Sequence, residues 1–314
     1  MRSMVIDSFG DTDVLEERDR PMPEPGPGEI RVRVHATSVN PLDCRVRREG
    51  DSMGLSAPMV VGYDASGVVD AVGAGVESVA EGDAVFYTPE LFEDGCYAEY
   101  NVVPAHLVSR KPATLSHQEA AALPVAACTA WDALVERAGL EVGESVFVHG
   151  AGGVGQQIIQ IAAAAGAEVY ASASPETADI AERLGATDVV NYRTGDFTAV
   201  VSESTDGQGV DVIVDTVGGG LLAESFPILR PHGQMVDIVG DPGDIGNEAK
   251  LNNTTVSFMA LTRGGDKMNA VRKLVERGQV QPVIDSVCPL SEAADAHERI
   301  QAGGVAGKIV LTVN

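Results

Sequence analysis

Residues 145–172 read SVFVHGAGGVGQQIIQIAAAAGAEVYAS. An apolar run meets a turn in which Gly150, Gly152 and Gly155 complete a G-x-G-x-x-G; a helical stretch follows, and a second strand comes after Gly166. Glycines at this spacing allow a tight turn, let the backbone approach a pyrophosphate, and let helix pack close to strand. The free N–H groups at the helix N-terminus then hold the phosphates. Gly150, Gly152, Gly153, Val154 and Gly155 are therefore candidate dinucleotide-binding residues.

An acidic residue at the end of the second strand would bind the ribose 2′-OH of NAD. Here the strand ends Ala171-Ser172-Ala173-Ser174, with no carboxylate before Glu176. The hydroxyls of Ser172 and Ser174 suit a 2′-phosphate, and Tyr192 with Arg193 can approach it from the next strand end. These residues favour NADPH over NADH; Glu176 is the opposing charge, and the serines serve equally well as turn residues.

Outward from this motif, apolar strands at 145–150, 168–174, 188–192, 210–218, 233–240 and 255–261 alternate with helical stretches at 154–166, 176–185 and 221–231. That alternation predicts a doubly wound α/β domain with a parallel sheet. Ahead of it, residues 116–139 read as one Ala-rich helix opened by a capping box of Ser116 and Glu119. Earlier still, residues 21–29, PMPEPGPGE, form a punctuated loop. It feeds a strand in which Ile30, Val32 and Val34 alternate with Arg31, Arg33 and His35, His35 falling on the outward face. Further short strands up to about residue 115 predict an antiparallel β domain. The last fifty residues return to mixed style, with helices at 265–277 and 291–302 and strands at 282–290 and 308–313. The expected division is 1–117 with 265–314 as one domain and 118–264 as the dinucleotide-binding domain.

The chain has 314 residues, 44% hydrophobic and 22% charged, enough for a sizeable core and too apolar for a mostly disordered chain. Against 46 acidic residues stand 22 basic ones, a net charge of −24. Nucleic acid and anionic membrane surfaces are excluded as general partners, since both require clustered cations. The basic residues are 5 Lys and 17 Arg, and the acid is spread along the chain. This reads as an acidic folded surface suited to high salt, where the Debye length shrinks to about 3 Å. Cys44, Cys96, Cys128 and Cys288 stand apart with no disulfide or zinc spacing, and the N-terminus lacks an apolar targeting core. A cytoplasmic location is expected.

With these landmarks in order, the chain resembles the medium-chain dehydrogenase/reductase superfamily, and within it the zinc-independent quinone oxidoreductase (ζ-crystallin-like) branch. The resemblance runs through PGPGEIRVRVHATSVNPLD (25–43), GYDASGVVDAVGAGV (62–76), EGDAVF (81–86), GCYAEY (95–100) and LPVAACTAW (123–131). It continues through HGAGGVG (149–155), LGATDVVNYRTGDF (184–197), VDTVGG (214–219) and GKIVLTV (307–313). It implies an α/β protein: a GroES-like β catalytic domain built from both chain ends, and an inserted Rossmann domain binding NADPH. It also implies a homodimer joined through the last Rossmann strand, near residues 256–261. Asn40 matches the family Asn near the nicotinamide, and Thr129 the nicotinamide-side hydroxyl. Val217, Ile238 and Phe258 are counted with the cofactor-binding residues.

Zinc-dependent relatives carry a Cys ahead of a Gly-His-Glu and a four-Cys loop. Here those positions read Asn40-Pro41-Leu42-Asp43 and Gly62-Tyr63-Asp64, and residues 95–112 supply no four thiolates, so no zinc is expected. Without a Lewis acid, hydride transfer to a quinone or an α,β-unsaturated carbonyl remains, resting on orientation, exclusion of water and hydrogen bonds to the developing oxyanion. Asn40, Tyr63 and Asp64 are the catalytic candidates. Tyr63 reads either as a proton or hydrogen-bond donor or as a core tyrosine, and Tyr87 either as pocket lining or as a buried sheet residue. Asp43 and Asp64 read better as structural hydrogen-bonding groups than as a functional pair. The family's substrate-side tyrosines are missing: Arg45 stands where bacterial quinone reductases have Tyr, and residues 50–60 contain none. Alternatives are an alcohol or polyol dehydrogenase and a non-catalytic NADPH-binding protein.

Overall fold

Residues 1–313 are described by a computed structural model, and the chain divides between two units, Met1–Cys128 with Arg263 onward, and Thr129–Thr262. In chain order the first unit opens with β1 (Arg2–Ile6), β2 (Glu16–Asp19), the long β3 (Glu29–Val39) and α1 (Pro41–Glu49). Then come β4 (Met59–Val60), β5 (Ala65–Val72), β6 (Ala84–Tyr87), β7 (Tyr100–Pro104), β8 (Ser109–Arg110), α2 (His117–Ala121) and α3 (Pro124–Trp131), whose last residues, from Thr129, belong to the second unit. The second unit carries β9 (Ser145–His149), α4 (Gly153–Ala164), β10 (Glu168–Ala173), α5 (Pro175–Arg183), β11 (Asp188–Asn191) and α6 (Phe197–Ser204). It continues with β12 (Val210–Asp215), α7 (Leu221–Glu224), β13 (Leu229–Asp237), α8 (Gly246–Asn252) and β14 (Thr255–Phe258). The chain then returns to the first unit with α9 (Gly265–Glu276), β15 (Ile284–Pro289), α10 (Ala293–Ala302) and β16 (Lys308–Thr312).

Among the described residues the second unit's sheet runs β11-β10-β9-β12-β13-β14, every pair parallel. This is the Rossmann order, with its reversal between β9 and β12. β12 is buried along its whole length, as a strand covered on both faces must be. The first unit holds a three-stranded sheet, β2-β1-β4, and a larger one ordered β15-β16-β3-β5-β6-β8, with β7 also on β3. Ile30, Val32 and Val34 of β3 are buried with Val69, Val85 and Val103, so the alternation read from sequence does face the core. His35 is half-buried and stacks on His117, ring centroids 4.5 Å apart.

Three expectations change. The helix expected over 116–139 is broken at Pro124, whose missing N–H cannot continue the ladder. α2 stops at Ala121, α3 begins at Pro124, and the last turns, Asp132–Arg137, are wide π turns. Residues 118–128 pack with the first unit, not the second, because the small faces of Ala121 and Ala122 lie against Ala36 and Val310. The helix expected over 221–231 is interrupted at Pro227: α7 is one turn, a 3-10 turn covers Phe226–Ile228, and β13 already begins at Leu229. The helices α1, α6 and α8 are additions to the elements expected from sequence. No helix among the described residues is long and apolar enough to cross a membrane.

Candidate functional site

In the second unit, β9 ends at a loop shaped by its glycines. Gly150 has φ +89°, and a Cβ there would lie 2.7 Å from Thr216 Oγ1. A Cβ on Gly155 would lie 1.8 Å from Gly150 O, so only glycine permits this approach of helix to loop. A Cβ on Gly152 would meet nothing within 4 Å; the space in front of it is open. Gly152 caps α4, whose first turn, Gly153, Val154 and Gly155, holds no acidic residue. Exposed N–H groups, a positive helix end and an open approach fit the pyrophosphate of a dinucleotide.

The neighbouring loops are drawn into shape by two carboxylates that sequence reading passed over. Asp215 Oδ1 accepts from the N–H groups of Val217 (2.8 Å) and Gly218 (3.0 Å). Asp237 Oδ1 does the same for Val239 and Gly240, both at 2.8 Å. Val217 and Phe258 are left exposed and Ile238 half-buried, at or just beyond the C-terminal ends of β12, β13 and β14. That is where ligands bind in an open α/β sheet.

Ser174, Glu176, Tyr192 and Arg193 gather beyond the ends of β10 and β11. Ser174 caps α5 with Thr177, the Tyr192 N–H donates to Ala173 O at 3.1 Å, and Arg193 lies 3.2 Å from Glu176. Arg193 thus offsets the Glu176 charge that opposed a phosphate. Ser172 is placed differently from expectation. Its hydroxyl is buried beneath the glycine loop, 3.3 Å from Gly150 N as acceptor and 3.5 Å from His149 Nδ1, so it supports the loop.

In the first unit a buried polar cluster forms where β3 runs into α1. Asn40 caps α1, with its N–H donating to Asp43 Oδ2 at 2.7 Å. Asp64 is fully buried just before β5. Its Oδ2 accepts from Ser38 Oγ (2.5 Å), Asn40 Nδ2 (2.8 Å) and Lys308 Nζ (3.2 Å), and its Oδ1 from Val125 N (2.7 Å). Tyr97, Oη 3.3 Å from Asp43 Oδ2, also pairs with His297 Nε2 at 3.0 Å. Burial, then the Asp64 charge, pushes the Asp43 carboxyl up to about 7. Burial also pushes the Cys44 thiol up to about 12, which makes it inert as a nucleophile.

Tyr63 is fully buried and donates its hydroxyl to Leu91 O at 3.3 Å, with the Arg263 guanidinium 5.9 Å from its ring centre. Arg263 Nε in turn donates to Pro89 O. Burial holds the Tyr63 hydroxyl well above its ordinary pKa, so it stays protonated. Thr129 is largely buried on α3, and Tyr87 is a buried sheet residue bonded to Asn101 at 3.0 Å. Asp64 and Tyr63 do not fit a catalytic zinc: both carboxylate oxygens are taken by donors, and the tyrosine faces a carbonyl. Among the described residues no three His, Cys, Asp or Glu side chains are grouped to hold a metal ion.

Sequence reading missed Lys308, Tyr97, His297 and Arg263. For Lys308 a signal existed: it begins the apolar run KIVLTV, where a lysine needs a buried partner.

Comparison with known proteins agrees with this architecture. The alcohol dehydrogenase GroES-like domain model matches residues 26–113, and the zinc-binding dehydrogenase model matches 184–311. The quinone oxidoreductase of Pongo abelii is 33% identical, covering 99% of this chain and 97% of that protein. The crystal structure of an NAD-dependent alcohol dehydrogenase superposes with a TM-score of 0.92 at 35% identity, covering 100% of both chains. The quinone oxidoreductase of Coxiella burnetii does so with 0.90 at 32% identity, covering 100% of this chain and 99% of that one. Full-length similarity, a Rossmann sheet with its glycine turn and a GroES-like unit from both chain ends lead to one assignment: the chain is an oxidoreductase of the medium-chain dehydrogenase/reductase superfamily, in its quinone oxidoreductase (ζ-crystallin-like) branch.

Proposed function

We propose that the protein transfers hydride from NADPH to a quinone or an α,β-unsaturated carbonyl, with no metal taking part. The observation that carries this reading is the engagement of Tyr63 and Asp64: donors occupy both oxygens of Asp64, and the Tyr63 proton is directed to a main-chain carbonyl. The pair is built to hold and donate, not to ligate a cation. Bound NADPH supplies the hydride; the acceptor must also gain a proton, giving hydroquinone from a quinone or a saturated carbonyl from an enone.

The residues then have separate tasks. Gly152, Gly153, Val154 and Gly155 bind the pyrophosphate through backbone N–H groups, while Gly150, its own N–H given to Ser172, shapes the turn. Ser174, Tyr192 and Arg193 favour a 2′-phosphate, while Ser172 supports the loop. Val217, Ile238, Phe258 and Thr129 border the nicotinamide half. Asn40 orients the reacting groups, Asp64 holds Asn40, and Tyr63, kept protonated by burial, donates a hydrogen bond to the developing oxyanion. The 3.3 Å bond from Tyr63 to Leu91 is long enough to be given up for a stronger acceptor.

The likeness to an NAD-dependent alcohol dehydrogenase supports a second reading, alcohol oxidation with NAD. The two are separated by following nicotinamide absorbance in molar KCl with a quinone, an enone and an aldehyde, using NADPH and NADH, with and without chelator. Turnover of quinone or enone with NADPH, indifferent to chelator, is expected. Turnover of aldehyde alone, abolished by chelator, would overturn the proposal. We further propose a cytoplasmic homodimer, with β14 as the joining strand because among the described residues it pairs only with β13 and lies at the sheet's edge.

A further inference from the structure

We infer that Lys308, at the start of the last strand, is a positioning residue for hydride transfer, acting through the amide of Asn40. Its side chain is buried, and the ammonium donates to Val39 O at 3.1 Å, to Asp64 Oδ2 at 3.2 Å and to Asn40 Oδ1. Three hydrogens meet three acceptors.

The chemistry of the partners fixes the direction of the Asn40 amide. An ammonium only donates and a carboxylate only accepts. Asn40 spans them, taking a hydrogen bond from Lys308 at Oδ1 and giving one to Asp64 from Nδ2 at 2.8 Å. Turning the amide over would set Nδ2 against the ammonium and Oδ1 against the carboxylate, two repulsions in a buried site. The second Nδ2 hydrogen has only a long approach to Asp43 Oδ2, 3.5 Å, and so keeps capacity for a bound group.

Lys308 also supplies the cation that two neighbouring buried carboxylates, Asp43 and Asp64, require. Without it, two like charges would face each other in a buried site with no cation to offset them. Asp64 Oδ1 meanwhile holds Val125 N at the start of α3, so the same ion pair anchors the ends of β3, α1 and α3.

This inference rests on the proposed role of Asn40, and a double-mutant cycle on the full chain separates the two. Quinone reduction by NADPH is measured for Lys308→Met, Asn40→Ala and the pair, each checked for folding by thermal melt. Lys308→Met is expected to lower kcat about 10- to 100-fold, the scale of a misplaced reacting group, while the KM for NADPH stays within about threefold. In the Asn40→Ala background the same substitution should cost no more than about twofold. Equal losses in both backgrounds, or an unchanged kcat in Lys308→Met, would overturn the role of Lys308. An unchanged kcat in Asn40→Ala would overturn the reading of Asn40 itself, and the inference with it. Should Lys308→Met fail to fold, the charge-neutral Lys308→Met with Asp64→Asn removes the ion pair as a unit. A folded, fully active form of that variant would also overturn the inference.

Discussion

Asp43 is buried with Oδ2 accepting from Asn40 and Tyr97, while Oδ1 has no partner among the described residues. Its carboxyl titrates at about 7 because burial and the Asp64 charge outweigh the Asn40 N–H and the Lys308 charge. A carboxyl whose folded pKa lies above its unfolded value binds its proton more tightly in the native state, so native stability falls as pH rises between the two. That window runs from about 4, the unfolded value, to about 7. Asp43→Asn keeps an acceptor for the Asn40 N–H and removes the titration. The Tm of the wild type is therefore expected to fall relative to Asp43→Asn across that window and to run parallel to it above pH 8. A constant difference throughout would mean that burial does not raise the native Asp43 pKa above its unfolded value. His117, His149 and His297 act in the opposite sense. Burial lowers them to about 4, 4 and 3, so the stability of their neutral forms is lost as pH falls below the ordinary histidine range. Both proteins share that loss, and the comparison cancels it.

At the scale of elements, the glycine turn and α4 separate two uses of one residue type. Gly155 is required by packing, since its Cβ would strike the Gly150 carbonyl, whereas Gly152 faces open space at an ordinary φ of −80°. Gly155→Ala should lower stability by about 1–3 kcal/mol, the usual cost of overpacking, read as a drop in Tm. Gly152→Ala should melt like the wild type and yet weaken NADPH binding at least about tenfold, measured by calorimetric titration, because its methyl occupies the pyrophosphate's approach. Normal affinity in Gly152→Ala would place the phosphates elsewhere. The elements misread from sequence share a cause: Pro124 and Pro227 each stand inside an otherwise helical pattern, and the backbone N–H they lack ends the ladder there. The sequence pattern registered the apolar side chains and gave too little weight to the missing donor.

For the whole molecule the governing quantity is the net charge of −24. Many surface arginines already pair with carboxylates, including Arg2 with Glu99, Arg31 with Asp70 and Arg299 with Asp285. Even so, 46 acidic residues exceed 22 basic ones. We propose adaptation to high salt: screening shortens the reach of this repulsion to about 3 Å at molar ionic strength. The Tm is expected to rise steadily from dilute buffer to molar KCl. A flat or falling Tm would leave an ordinary acidic enzyme.

The family resemblance rests on motifs spread along the whole chain; local spacing was sufficient to read the Rossmann unit, the glycine turn and the antiparallel β domain. Each of these is written in short-range periodicity or in a glycine requirement that a few adjacent residues express. The position of Ser174, Tyr192 and Arg193 beyond the ends of β10 and β11 was also legible, because strand ends in a parallel sheet are predictable from the alternation. Only tertiary structure decided that Ser172 lies beneath the loop and that Asp64 is a buried clamp. The same holds for Lys308, which closes the cluster around Asn40 from the far end of the chain. Those facts depend on β3, β5 and β16 being brought side by side, and no local pattern carries the partner of a buried charge hundreds of residues away.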